Sequence, residues 1–286
     1  MSSGTLPTDA APPARAAADS GAVTEAIKRS NWSRFRSLII TVINLTLFFT
    51  AWQLLALSEV INPLFFPKAT DMFSAMYHGF ADGVIGPQLV HSVRNFTIGL
   101  LIAGAIGIPL GLLMGGVRII DLILSPYVWA MTALPRVALI PLLILILGFG
   151  NSMQLTIIVL SAVFPMMVNC MEGVKTVDPS LVRAGRIFGA NQAQLYVKVI
   201  LPFTLPFVIS GINQGIARGL VGMLIGELLG GGGKGLGFLL DRAGDQFDAP
   251  MMYATLLLLA VISVGLVQGT RWVERRAAPW RNFAVA

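Results

Sequence analysis

Six runs of apolar residues set the first constraint on what this chain can become. They occupy 38–57, 96–114, 122–149, 153–171, 203–229 and 251–270. A helix needs about 20 apolar residues, at about 1.5 Å each, to cross about 30 Å of hydrocarbon. Hydrocarbon offers no partner to a backbone amide, so such segments are forced into helices that satisfy themselves. Only 12% of the residues are charged and 55% are hydrophobic, where soluble domains carry about 25% charged residues. Lipid therefore solvates most of the chain, and the expected class is an all-α integral membrane protein of six spans. The third run is too long for one straight span and is interrupted by Pro126, Pro135 and Pro141, while Pro109 and Pro165 lie inside other runs. A proline within a span frees a backbone carbonyl that neighbouring helices or cavity water must satisfy. The pattern points to a bundle with a pathway rather than a set of anchors.

Charge orients the bundle. With the N-terminus inside, the cytoplasmic segments hold fourteen Lys and Arg and the outer segments four (Lys68, Arg94, Lys234 and Arg242). That bias places both termini in the cytoplasm. It also accounts for the net charge of +6, and no basic stripe interleaved with aromatics suggests nucleic acid. Residues 1–36 are rich in Ala, Pro, Ser and Thr and read as a disordered cytoplasmic tail. The six-helix domain is expected over 37–274, with 275–286 as a second cytoplasmic tail. A single cysteine, Cys170, allows no intrachain disulfide and reads as a small buried hydrophobe; His78 and His91 have no nearby cluster of carboxylates.

Two outer segments are long. Residues 58–90 are expected to carry a short surface helix near 71–79, and 230–250 combine Gly230–Gly233 with Asp241, Asp245 and Asp248. Each reads equally as a partner surface or as a connector. The stretch GGGGKGLG superficially suggests a phosphate loop, but Leu228 and Gly235 stand where such a loop needs glycine and Ser or Thr. It reads as a flexible turn. No catalytic constellation occurs in the spans, so the chain is expected to be neither an enzyme nor an ATPase, and to hold no cofactor or metal.

The segment 172–202, EGVKTVDPSLVRAGRIFGANQAQLYVKVILP, joins the fourth and fifth runs. Asp178 and Pro179 form a helix start, a capping side chain followed by proline at the first helical position. Leu181, Ala184 and Phe188 fall on one apolar stripe, with Arg183 and Arg186 off it, and Gly189 is a plausible stop. A short amphipathic helix with Ala184 and Gly185 on it suits close docking, to lipid headgroups, to the bundle or to another protein. The spacing of Ala184, Gly185, Gly189, Val199, Leu201 and Pro202 resembles the signature loop of binding-protein-dependent ABC importer permeases. LPRVALIPLLIL at 134–145, FGN at 149–151 and GELL…GLGFLL at 226–240 resemble the subfamily serving nitrate, sulfonate and taurine uptake.

The resemblance covers about 38–281 and implies a type I ABC importer permease of six spans in the bacterial inner membrane. It further implies a cytoplasmic coupling loop at 172–202 and a pair of ABC ATPase subunits that bind ATP and magnesium. An extracytoplasmic solute-binding protein and a second permease copy, as a homodimer, complete the implied assembly. Arg183 stands where the family has glutamate, which implies either an acidic groove on the cognate ATPase or weakened coupling.

Ionisable residues inside spans usually face a bundle interior or water. Arg136, Arg218 and Glu227 qualify, with Gln214 beside Arg218. An arginine fork matches the oxygens of sulfonate or nitrate, so Arg136 and Arg218 are the candidates for setting an anion preference; alternatively Arg218 and Glu227 pair with protein groups, or Glu227 merely reaches the outer surface. The rival class is a secondary transporter driven by an ion gradient, which often shows repeated halves with paired broken helices; no such repeat is evident.

Overall fold

The computed structural model describes residue 36, residues 39–58 and residues 60–277, the last seven by backbone alone. The expected tails at 1–35 and 278–286 lie outside the described residues. Every regular element among the described residues is helical. The chain divides into two compact units, Met1–Pro63 and Leu64–Ala286.

The first unit holds α1 (Ile39–Leu57). Phe48 packs edge-on against Phe49 and Trp52, at centroid distances of 5.3 and 5.8 Å. The second unit holds α2 (Ala69–Ala81), α3 (Ile85–Gly116), α4 (Arg118–Ala133), α5 (Ile140–Leu147), α6 (Asn151–Lys175), α7 (Pro179–Ile187), α8 (Gln192–Leu195), α9 (Leu201–Leu229), α10 (Leu236–Asp245) and α11 (Ala249–Ala277). Among the described residues five helical stretches are long and apolar enough to cross a membrane, and α4 with the Arg136–Leu147 segment forms a sixth candidate, bent by 98°.

That bend answers the question posed by three prolines in the third run. Only Pro135 breaks the helix: Leu134 before it is extended (φ −67°, ψ 132°), as the ring of a following proline demands. Pro126 sits inside α4, and Pro141 occupies the first turn of α5, where no amide is needed.

The helix α6 forms the centre of the second unit. Of its most apolar window 61% is buried, against 28% or less in the other candidate spans. Glycines let α3 and α9 close on it from two sides. A Cβ at Gly107 would sit 2.7 Å from the Val163 carbonyl oxygen, and one at Gly222 would sit 2.5 Å from Ser161 Oγ. Small residues recur every third or fourth position on both neighbours, at Gly99, Ala103, Gly107, Gly111 and Gly115 and at Gly211, Gly215, Gly219, Gly222 and Gly226. Backbones that approach this closely gain dispersion contact that bulky side chains would prevent. Met114, Ala162 and Met166 fill one seam, and Phe96, Ile158 and Met223 the other. Cys170 is fully buried there, as expected.

Several boundaries differ from the sequence reading. Helix α3 begins at Ile85, eleven residues before the apolar run at 96. Its added turns are polar on the side that faces protein, so hydropathy does not mark them. The fifth run starts early too: helix runs continuously from Gln192 to Leu229 through a π-turn at Tyr196–Ile200. Residues 192–202 of the segment 172–202 are thus helix continuous with α9. Residues 275–277, assigned to the C-terminal tail, continue α11. The helix expected near 71–79 is α2, which packs on α11, with Phe66 edge-on to Tyr253 at 6.4 Å.

Candidate functional site

At one end of α6 the chain builds the short helix α7. The Asp178 carboxylate accepts the Ser180 backbone N–H at 2.7 Å and Pro179 takes the first position. This bond, with Arg183 nearby, holds the Asp178 carboxyl below the usual carboxylate range. The other end is a Schellman stop: Gly189 N–H donates to the Arg186 carbonyl and Ala190 N–H to the Gly185 carbonyl, both at 3.0 Å. Gly189 adopts φ +78°, which a side chain would strain. A capping box between Asn191 and Gln194 starts α8, and Tyr196 Oη donates to the Leu112 carbonyl at 2.7 Å, tying the segment to the end of α3. Gly185 sits against Leu195, whose Cδ2 would lie 2.5 Å from an added Cβ. The apolar edge is left bare, with Phe188 88% and Ile187 85% exposed. Ala184 and Arg183 are exposed as well, while Leu201 and Pro202 stand at the start of α9.

Midway along α6 the structure brings Arg136 and Arg218 to one cavity of about 120 Å³. Val137, Ile157, Ser161, Val221, Gly222 and Ile225 complete its lining. Arg136 arrives there because the Pro135 break ends α4 and starts a 3-10 turn at Arg136; its buried Nε has no hydrogen-bond partner among the described residues. Arg218 projects from the middle of α9 on an exposed face that also carries Gln214 one turn away, whose amide donates to Asn169 Oδ1 at 3.2 Å. Two guanidinium groups around one small, mostly apolar cavity repel each other, and an anion between them relieves that repulsion.

Glu227 does not join them. It is 1% exposed on the opposite face of α9. Its Oε2 accepts from Ser92 Oγ at 2.8 Å and from Gly237 N–H at 3.0 Å, and its Oε1 has no partner. It anchors the glycine-rich segment, which is a pinned turn and not the flexible one expected. Gly231, Gly232, Gly233 and Gly235 all have positive φ. The turn is held by Gly150 N–H on the Gly230 carbonyl (2.9 Å), Gln154 Nε2 on the Gly231 carbonyl (3.1 Å), Gly235 N–H on Gln88 Oε1 (2.7 Å) and Leu236 N–H on Ser92 Oγ (2.8 Å). A side chain at Gly235 would collide with the Glu227 carboxyl.

The same network floors a second cavity, of about 310 Å³, lined by His91, Arg94, Gly150, Asn151, Gln154, Gly232 and Lys234. Asn95 Nδ2 donates to Asn151 Oδ1 at 2.6 Å and to Gln154 Oε1 at 3.3 Å, and His91 Nε2 lies 3.1 Å from that oxygen. None of these residues was singled out as a site from sequence. The available signal was the polar stripe Gln88, His91, Ser92 and Asn95, which repeats at helical spacing just before an apolar run.

The family model described as "Binding-protein-dependent transport system inner membrane component" matches residues 107–279. The chain is 29% identical over 256 residues to the taurine transport system permease protein TauC of Escherichia coli (strain K12), covering 88% of this chain and 93% of that one. It is 26% identical over 255 residues to SsuC of Bacillus subtilis (strain 168), named for aliphatic sulfonates transport, covering 89% and 90%. A crystal structure titled for inward-facing conformations of the MetNI methionine ABC transporter contains a chain that superposes with a TM-score of 0.55 at 21% identity, covering 65% of this chain and 93% of that one.

Proposed function

The chain belongs to the binding-protein-dependent transport system inner membrane component family, and from that premise we propose that it is the permease of an ATP-driven importer carrying a small anionic solute of the sulfonate class. The observation that carries the anion preference is the shared cavity of Arg136 and Arg218. An arginine exposed in mid-span is costly against lipid. The exposed face bearing Gln214 and Arg218 is therefore the face that lines a path, between this permease and a second copy. The taurine and aliphatic-sulfonate names of two relatives support the same chemistry.

Energy enters at α7. In this reading α7 lies in the cytoplasm, and its bare Ile187–Phe188 edge docks in a cleft of an ABC ATPase subunit that binds ATP and magnesium. Exposed Arg183, which replaces the family's glutamate, pairs with an acidic group on that cleft. Closure of the ATPase pair displaces α7, and the displacement passes through α8 and the π-turn into α9, which is seamed to α6. A bundle packed this closely moves as a body between two arrangements, opening the Arg136–Arg218 cavity to one side and then the other. An extracytoplasmic binding protein delivers the solute.

The test is uptake of labelled taurine by proteoliposomes holding the full transporter, with Arg136→Gln and Arg218→Gln permeases that still assemble with the ATPase. Loss of uptake in either variant, with ATPase copurification retained, supports the reading. Undiminished uptake in both sinks the anion path.

A further inference from the structure

At the end of α6 remote from α7, the 310 Å³ cavity gathers positive charge with no acid lining it. Helix α6 has 25 residues, so the two ends stand about 37 Å apart at 1.5 Å per residue, on opposite sides of a bilayer. Arg94 comes from the early turns of α3 and Lys234 from the glycine turn, and neither has an ion-pair partner among the described residues. Asn151 opens the first turn of α6, whose dipole also favours negative charge, while the N–H of Gly150 before it is taken by the Gly230 carbonyl. Below them Gln154 and Asn95, each 1% exposed, are locked by their hydrogen bonds, so the floor is organised in advance. The volume suits a small molecule.

This cavity also aligns with the one at Arg136 and Arg218. Gln154 floors the first, while Ile157 and Ser161 line the second; the three positions are successive turns of one α6 stripe. From Gln154 to Ser161 the rise is about 10 Å.

We infer that the His91–Arg94–Lys234 cavity is an anion-receiving site, which holds the sulfonate or carboxylate head of the solute before it reaches the cavity of Arg136 and Arg218. The inference rests on the anionic-solute reading above. Holding the anion at the outer end raises its local concentration at the mouth of the path, from which one cationic site hands over to the next.

Labelling kinetics test this without relying on uptake. The full transporter carries Cys170→Ser with Asn151→Cys as a reporter, or His91→Cys should the first fail to assemble. Its labelling by sulfonatoethyl methanethiosulfonate is compared with that by the trimethylammonioethyl reagent, each normalised to its rate with a free thiol. Two nearby cationic groups should favour the anionic reagent by at least about tenfold. Arg94→Gln with Lys234→Gln should abolish that preference, and millimolar ethanesulfonate, without binding protein, should slow labelling. Equal normalised rates for the two reagents overturn the inference. So does protection by docked binding protein in the absence of any effect of ethanesulfonate, which would make the cavity a protein-docking contact. Normal uptake in the Arg136 and Arg218 variants would refute the anion path by itself, leaving the labelling result to judge this site.

Discussion

Replacing Gly111 by alanine tests whether the α3–α6 seam is as close as the geometry requires. An added Cβ would lie 2.8 Å from Cys170 Cβ and 2.9 Å from Met167 Cα, and would overlap the Met167 carbonyl oxygen. Carbon atoms rest about 3.5–4.0 Å apart, and none of these three atoms can rotate away. Helix α3 must therefore retreat by about 1 Å, which also loosens the contacts at Gly107 and Gly115. Overpacking of this kind costs about 1–3 kcal/mol, offset by about 1 kcal/mol of better helix propensity. Gly104 on the same helix supplies the control: its nearest neighbours would be Ile108 Cδ1 at 3.8 Å and Met166 Sδ at 4.0 Å, ordinary contacts, so Gly104→Ala keeps the propensity gain alone. Thermal unfolding of the purified permease in detergent, followed by fluorescence-detected size exclusion, should show Gly111→Ala below wild type and Gly104→Ala at or above it. A Gly111→Ala protein as stable as Gly104→Ala would refute the close-packed seam.

Three further outcomes follow from the geometry. Glu227→Ala strands Ser92 Oγ–H and Gly237 N–H in a buried site, so it should destabilise by about 1–3 kcal/mol and expose the glycine turn to protease, whereas Glu227→Gln should retain most of the order. Gly189→Ala, at φ +78°, should cost about 1 kcal/mol locally and lower solute-stimulated ATPase activity, while Gly189→Asn should be milder; equal effects would argue against a left-handed requirement. The Asp178 carboxyl titrates below its unfolded value of about 3.9. Its cap is therefore fully effective above that value and is lost as pH falls through the lowered one. Asp178→Asn should keep the cap and remove that contribution to the pH dependence, measured as binding of the ATPase by a crosslink placed on α7 as pH falls from above the unfolded value to below the lowered one.

Much of the α7 segment was legible in sequence because its instructions are local. Asp178 and Pro179 can start a helix and Gly189 can stop one whatever surrounds them, and the structure begins and ends α7 there. Helical spans were legible for a related reason: a run of apolar residues must satisfy its own backbone in hydrocarbon. The places that misled were those where neighbours decide. Among the prolines of the third run, only Pro135 breaks the helix; Pro126 lies inside α4 and Pro141 in the first turn of α5, where no amide is wanted. Polar residues at the start of α3 hid eleven residues of helix, because Gln88, Ser92 and Asn95 are satisfied by partners 56 to 147 positions away.

Arg136, Arg218 and Glu227 show where that division falls. Sequence alone determined that these three ionisable residues lie within apolar runs, a fact of hydropathy and spacing. Only the tertiary structure decided that the two arginines share a cavity while the glutamate is buried on the opposite face of α9, holding a turn in place. A helix turns 100° per residue, so side chains nine positions apart, at 218 and 227, can serve a path or a core. Which one each serves depends on the helices packed against them.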